Sequence, residues 1–231
     1  MNYKTNKIKI FHLLNTIEVG GSTNLLISQL KYINYNKFDI HIGFLMGSSV
    51  DFKKCISKFF SKKSSIKIHD FSTNKRFSYF SIVKIIRLIK KHDIDIIHTH
   101  LIHASIIGRT ISLLNSSLKC ITTRHYAISK KNKRLINRIE DVMGRYSDAT
   151  ICISDFVKQH LLKLKYSEIK LHTIYNGIDI EKFKSNFNEN SIEMKIGLVG
   201  RLDTQKGVDI LLKSFALILK KHPSLKLDII G

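Results

Sequence analysis

A chain of 231 residues can form one large domain, or one domain and part of another. Hydrophobic residues make up 43% and charged residues 25%, a globular composition that excludes a disordered or fibrous chain. The formal net charge of +21 favours anionic partners, whether nucleic acid, an anionic membrane surface or a phosphorylated ligand, without choosing among them.

The three cysteines, Cys55, Cys120 and Cys152, are widely separated and include no CxxC pair. That argues against a disulfide framework and fits a reducing cytoplasm. The N-terminal stretch "MNYKTNKIKIFHLLNTIEVGG" is basic, but its apolar run is short and interrupted by His12 and Asn15. It reads as a first strand rather than a signal peptide. No uninterrupted apolar stretch reaches the length of a membrane span, so any membrane contact is expected at the surface.

Along the chain, short apolar strands alternate with helical segments. "KIKIFHLL" (7–14) predicts a strand, followed by a helix from about 23 to 35. "FDIHIGFL" (38–45) is the next strand and residues 50–60 the next helix. "SIKIHDF" (65–71) leads into a long amphipathic helix ending near Lys91. "DIDIIHTH" (93–100), "LKCITT" (118–123) and "ATICIS" (149–154) each precede a further helix, and "LHTIYNG" (171–177) closes the series. Ile-rich strands separated by helices predict a doubly wound parallel sheet covered on both faces. Residues 179–193 turn polar and Asn-rich, as a linker would. A new strand–helix–strand unit follows, "MKIGLVG", then about 207–221, then "LKLDIIG", with Pro223 ending the helix. The expected organisation is a Rossmann-like domain over 1–178, a linker over 179–193, and the first β–α–β unit of a second Rossmann-like domain over 194–231.

Ligands of open α/β sheets bind beyond the carboxyl ends of the strands, and four stretches lie there. In "IEVGGSTNLL", Gly20 and Gly21 permit close backbone approach before a helix N-terminus that can receive an anion, or simply make a tight turn. In "HTHLIH", His98 and His100 are two apart on a strand and face one side, suiting a structural or polar-lining role. A metal site would need a third ligand, and His103 falls in the following helix, so no metal is expected. In "TTRHY", His125 follows a strand and can contact a substrate hydroxyl, move a proton, or sit as a satisfied loop histidine. In "GLVGRLDTQKGVDILL" (197–212), Arg201 offers a forked donor and Lys206 a point charge near a helix N-terminus. The pair suits a diphosphate better than a carboxylate, although a solvated basic turn has the same composition.

Taken in order, these stretches resemble the family 4 glycosyltransferases, retaining enzymes with the two-Rossmann-domain GT-B fold. The resemblance runs through Gly20–Gly21, "DIIHTHLIHASIIGR", "TTRHY", "ICISDFVKQHL", "IYNGIDIEKF" and "GLVGRLDTQKGVDILLKSF", covering essentially the whole chain. It implies transfer of a sugar from a nucleotide-diphosphate sugar to a glycan or lipid-linked acceptor, in envelope polysaccharide or lipopolysaccharide synthesis. It implies that Arg201 and Lys206 hold the donor diphosphate and stabilise it as it leaves, without a metal or other cofactor. It further implies that backbone at Gly20–Gly21 approaches the same phosphates, that His125 lies near the reacting sugar, and that His98 and His100 line the acceptor side.

Two departures from the family pattern stand out. The acidic residue usual after the glycine pair (GG-x-E) is absent, since the chain reads Gly20-Gly21-Ser22-Thr23. Family members also continue for most of a second domain, which carries a glutamate pair and the base pocket; a chain without it is expected to be inactive alone and to need a C-terminal half in trans. The alternative is a non-catalytic remnant that binds a glycan or a protein. The basic amphipathic stretches 50–67 and 130–145 suit the inner face of an anionic membrane, or ordinary helices with their apolar sides in the core. The absence of a helix-turn-helix, zinc-finger or RNA-recognition signature argues against a specific nucleic-acid partner.

Overall fold

The computed structural model describes residues 7–16, 21–46, 66–72, 79–127, 135–183 and 195–231. They form two compact units, residues 1–179 and 180–231. In the first unit the elements run β1 (Ile8–Thr16), α1 (Gly21–Leu30), β2 (Phe38–Met46), β3 (Lys67–Asp70), α2 (Tyr79–His92), β4 (Ile96–His100), α3 (Ile102–Leu113), β5 (Lys119–Arg124), α4 (Leu135–Met143), β6 (Ala149–Cys152), α5 (Asp155–Lys163) and β7 (Leu171–Thr173). The helix expected at 50–60 lies outside the described residues, and Cys55 with it. Among the described residues, no helix is long and apolar enough to cross a membrane.

The strands form one parallel sheet in the order β3-β2-β1-β4-β5-β6-β7. The fold is therefore the doubly wound α/β class read from the sequence, with the strand order reversing between β1 and β4. Alternation along β1 builds the two faces. Phe11 and Leu13 pack with Ile85, Leu88 and Ile89 of α2 and Ile107 and Ile111 of α3. Leu14, on the opposite face, packs with Leu26 and Leu30 of α1 and Ile40, Ile42 and Phe44 of β2. Helix α1 is shorter than the expected 23–35. The chain leaves it in a turn in which Tyr32 N donates to Gln29 O at 3.0 Å and Tyr35 Oη donates to Leu30 O at 2.6 Å. Helix α3 seats closely on β4 because residue 108 is glycine: a Cβ there would collide with the Thr99 methyl.

Helix α4 is built inside out. Its buried residues are Asn137, Glu140 and Asp141, whereas Leu135, Ile139 and Val142 are exposed at 72%, 41% and 53%. The apolar-side-in arrangement expected of an ordinary amphipathic helix is thus inverted. The cause is two fully buried arginines that need carboxylates. Arg124 at the end of β5 places Nη1 2.8 Å from Glu140 Oε1 and Nη2 3.1 Å from Asp141 Oδ1. Arg109 of α3 donates through Nε to Ser147 Oγ at 2.7 Å and through Nη2 to Thr122 Oγ1 at 3.2 Å, and its Nη1 lies 3.8 Å from Glu140 Oε1. Burial opposes the Arg124 charge, but Glu140 and Asp141 outweigh it and raise its pKa. Two cations and two anions cancel, which makes the burial tolerable.

The second unit holds β8 (Lys195–Val199), α6 (Val208–Leu219) and β9 (Lys226–Ile230), with β8 and β9 paired in parallel. A short 3-10 turn, Ile180–Phe183, occupies part of the stretch expected to be linker.

Replacing Glu140 by Gln should leave a buried guanidinium without its charge partner and cost about 3–5 kcal/mol. Urea denaturation of the E140Q variant measures this, and a loss below about 1 kcal/mol would show that the network carries little of the stability.

Candidate functional site

The strand order reverses between β1 and β4, the position at which open α/β sheets bind ligands, and histidines of the two strands meet there. Register sets the arrangement: His12 lies opposite His98, and Leu14 opposite His100. The paired residues His12 and His98 share one side of the sheet, and His100, two residues on, returns to it. His12 Nδ1 is 3.3 Å from His100 Nε2, and His100 Nδ1 is 3.5 Å from His125 Nε2. His98 Nε2 lies 2.8 Å from Thr123 Oγ1. The four imidazoles form a continuous cluster, with ring centroids of neighbouring pairs 4.5–5.8 Å apart.

Burial removes solvent from these rings and favours their neutral forms. It lowers the His12 pKa to about 4 and holds His98 and His100 well below the ordinary histidine value, with neighbouring imidazoles adding to the effect. Burial also lowers His125. At neutral pH the imidazoles are neutral, each able to donate through one nitrogen and accept through the other, and the part-exposed His98 and His125 are the two nearest solvent. One ligand-capable nitrogen from each of His12, His98 and His100 lies within 4.8 Å of the other two.

Backbone and caps hold this edge in place. Leu101, directly after His100, has φ 69° and ψ 168°, a conformation that costs a non-glycine residue about 1–3 kcal/mol. The N-terminus of α3 that follows has no cap from its own flanking residue. Asn15 of β1 supplies one instead: its Oδ1 accepts from Ala104 N at 2.7 Å and its Nδ2 lies 3.2 Å from His103 Nδ1. The two residues that interrupt the apolar run of β1, His12 and Asn15, are thus the two that reach across to β4 and α3. Gly21 opens α1 and would meet no described atom within 4 Å if it bore a Cβ, and no acidic residue lies in that helix's first turn. Gly20 lies outside the described residues.

In the second unit, Arg201 and Lys206 sit on the connection from the carboxyl end of β8 to α6. Gly200 at φ 154° and Gly207 at φ 66° bracket it, both conformations favouring glycine. Arg201 is exposed and pairs with Asp203 Oδ2 at 3.0 Å. Lys206 ends the 3-10 turn Thr204–Lys206, and its N–H donates to Asp203 O at 3.1 Å. Gly207 is the N-cap of α6, so the helix N–H groups open beside Lys206. A pocket of about 620 Å³ here is lined by Gly197, Val199, Lys206 and Gly207 among others. A guanidinium, an ammonium and a helix N-terminus on one connection are the groups that suit a multiply charged anion.

The structure therefore brings His98, His100 and His125 together in the first unit, and in the second it places Arg201 and Lys206 on one turn. His12 was not among the candidates from the sequence. Its signal was a polar residue at an inward position of an otherwise apolar central strand.

Comparison with known proteins gives this arrangement its family. The sequence profile of Glycosyl transferases group 1 matches residues 179–231, and that of Glycosyltransferase Family 4 matches residues 50–182. The chain is 26% identical over 230 residues to the capsular polysaccharide biosynthesis glycosyltransferase CapH of Staphylococcus aureus, covering 96% of this chain and 61% of that protein. It is also 26% identical over 220 residues to the UDP-Gal:alpha-D-GlcNAc-diphosphoundecaprenol alpha-1,3-galactosyltransferase of Escherichia coli, covering 87% of this chain and 55% of that enzyme. Its fold matches that of Anabaena HepE, whose crystal structure holds UDP and glucose, with a TM-score of 0.75 at 18% identity over 96% of this chain and 60% of HepE. The chain thus spans about three fifths of the length of these relatives. The Family 4 profile alone covers more than half of the 231 residues, and the chain belongs to glycosyltransferase family 4.

Proposed function

We propose that the protein is a retaining glycosyltransferase that moves a sugar from a nucleotide-diphosphate donor to a glycan or lipid-linked acceptor, in the synthesis of an envelope polysaccharide or lipopolysaccharide. The observation that carries this reading is the turn between Gly200 and Gly207. It carries Arg201 and Lys206 on the connection that leads into α6, with Lys206 next to the N-cap Gly207. As the bond from the sugar's anomeric carbon to the diphosphate breaks, negative charge grows on the departing oxygens. Fixed cations and helix N–H groups stabilise that charge more than they stabilise the bound donor, and this difference lowers the barrier. Asp203 holds Arg201 in the absence of donor, and a diphosphate would replace that carboxylate.

In this reading the new bond forms on the face from which the diphosphate leaves, and no enzymic nucleophile is assigned. His125, held neutral and backed by His100, bonds a hydroxyl of the reacting sugar, while His98 and His100 line the acceptor side. The E. coli relative's name, with its UDP donor and diphosphoundecaprenol acceptor, supports the donor class and a lipid-linked acceptor. Sugar transfer by the 231-residue chain is expected together with the polypeptide that longer relatives carry beyond the aligned region, in continuation or in trans.

A lipid-linked acceptor also gives the inverted α4 a purpose. Leu135, Arg138, Ile139 and Val142 follow one another at helical spacing on its exposed side, and Arg145 and Tyr146 extend the stripe. Both acids of the helix are turned inward onto Arg124 and Arg109. Such a face, apolar with interleaved arginines, suits the headgroup layer of an anionic membrane, which supports a peripheral position on its cytoplasmic face.

With that further polypeptide supplied, alanine at Arg201 or Lys206 should lower kcat about 100- to 1,000-fold with the fold intact. Omission of magnesium should leave the rate unchanged, because the two side chains supply the positive charge. A variant with full turnover, or a strict magnesium requirement, would overturn the assignment. Separately, the protein should sediment with anionic vesicles in preference to neutral ones, and Arg138→Ser should weaken that binding about fivefold, the equivalent of roughly 1 kcal/mol per near-surface cation. Equal sedimentation with both vesicle types would remove the membrane reading.

A further inference from the structure

We propose that His12, His98 and His100 form a binding site for a divalent first-row transition-metal ion, zinc by preference. The argument is geometric. In a tetrahedral site with Zn–N bonds of about 2.0–2.1 Å, two ligating nitrogens stand about 3.3–3.4 Å apart. His12 Nδ1 and His100 Nε2 are 3.3 Å apart, the length of one tetrahedral edge. A nitrogen of His98 completes a group of three within 4.8 Å, close enough for side-chain rotation to bring it to an ion seated at that edge. The ligands come from two adjacent parallel strands in fixed register, so the backbone holds them together before any ion arrives.

One further feature fits an ion. His98 Nε2 lies 2.8 Å from Thr123 Oγ1, the kind of outer hydrogen bond that fixes the ring and tautomer of a ligating imidazole. The all-nitrogen set selects zinc, copper or nickel over magnesium and calcium, which take oxygen ligands. This site is therefore separate in chemistry from the diphosphate cations. A bound ion would tie β1 and β4 together at this point of their pairing. It would also fix His100, whose other nitrogen faces His125 at 3.5 Å. Sequence spacing pointed away from a metal because the third ligand, His12, lies 86 residues before His98.

The test is metal binding by the 231-residue protein, with no reliance on activity. Protein stripped with chelator is titrated with zinc alone and, separately, with cobalt(II) as an optical probe. We expect one ion per chain, a cobalt absorption of tetrahedral intensity, and X-ray absorption showing imidazole nitrogens at about 2.0–2.1 Å. His12→Gln and His100→Gln should each weaken zinc binding at least about 100-fold, exceeding the usual effect of an outer-shell change. His172→Gln, at an exposed position on β7, should bind as the parent does. Circular dichroism of each stripped variant confirms that it is folded; where one is not, the parent's absorption spectrum and stoichiometry decide alone. Failure of the folded parent to bind zinc, or equal binding by the parent and by folded His12 and His100 variants, would overturn the proposal and leave the cluster as a hydrogen-bonded set of imidazoles.

Discussion

The pairing of β1 with β4 is the constraint on which the rest of the first unit depends. It is the point where the strand order turns back on itself, so the connections leaving the two strands cover opposite faces and leave a crevice between them. Because side chains alternate with a period of two, a slip of one residue in this pair would put His12 on the opposite face from His98 and His100. The apolar face of β1 resists such a slip, since Phe11 and Leu13 are fully buried against α2 and α3. The core thus fixes the register, and the register builds the site.

A second constraint lies behind the crevice. Arg109 and Arg124 are both buried, and each reaches a carboxylate of α4. That requirement orients the whole helix and overrides its amphipathic pattern. Burying Leu135, Ile139 and Val142 instead would gain apolar contact, but it would expose Glu140 and Asp141 and strand two guanidinium groups in the interior. The polar contacts win because an unpaired buried charge costs more than a few exposed apolar side chains. Their by-product is a helix whose Leu135, Ile139 and Val142 face outward.

Much of the fold was legible in the sequence. Ile-rich segments at 7–14, 38–45 and 118–123 declared their strands within a residue or two, because parallel strands buried on both faces read as continuous apolar runs. Helix ends were harder: α1 stops at Leu30 because local turn bonds around Tyr32 and Tyr35 compete with its continuation. In the second unit, Gly200 and Gly207 were legible as punctuation around a basic turn, and both take backbone conformations that glycine favours. The histidine cluster was only half visible. His98 and His100 announce themselves by spacing, whereas His12 joins them through strand pairing, which no local pattern encodes. The inversion of α4 was hidden for a similar reason, since its partners Arg109 and Arg124 belong to α3 and β5.

The most direct test of glycosyl transfer is the anomeric configuration of the product. Supplied with the remaining polypeptide of a full-length relative, a UDP-sugar and an undecaprenyl-diphosphate-linked acceptor, the protein should yield a glycoside whose NMR coupling matches the configuration of the donor. Transfer that depends on Arg201 and Lys206 and keeps that configuration is the predicted result. An inverted product, or no transfer from any nucleotide sugar by the folded, reconstituted protein, would contradict it.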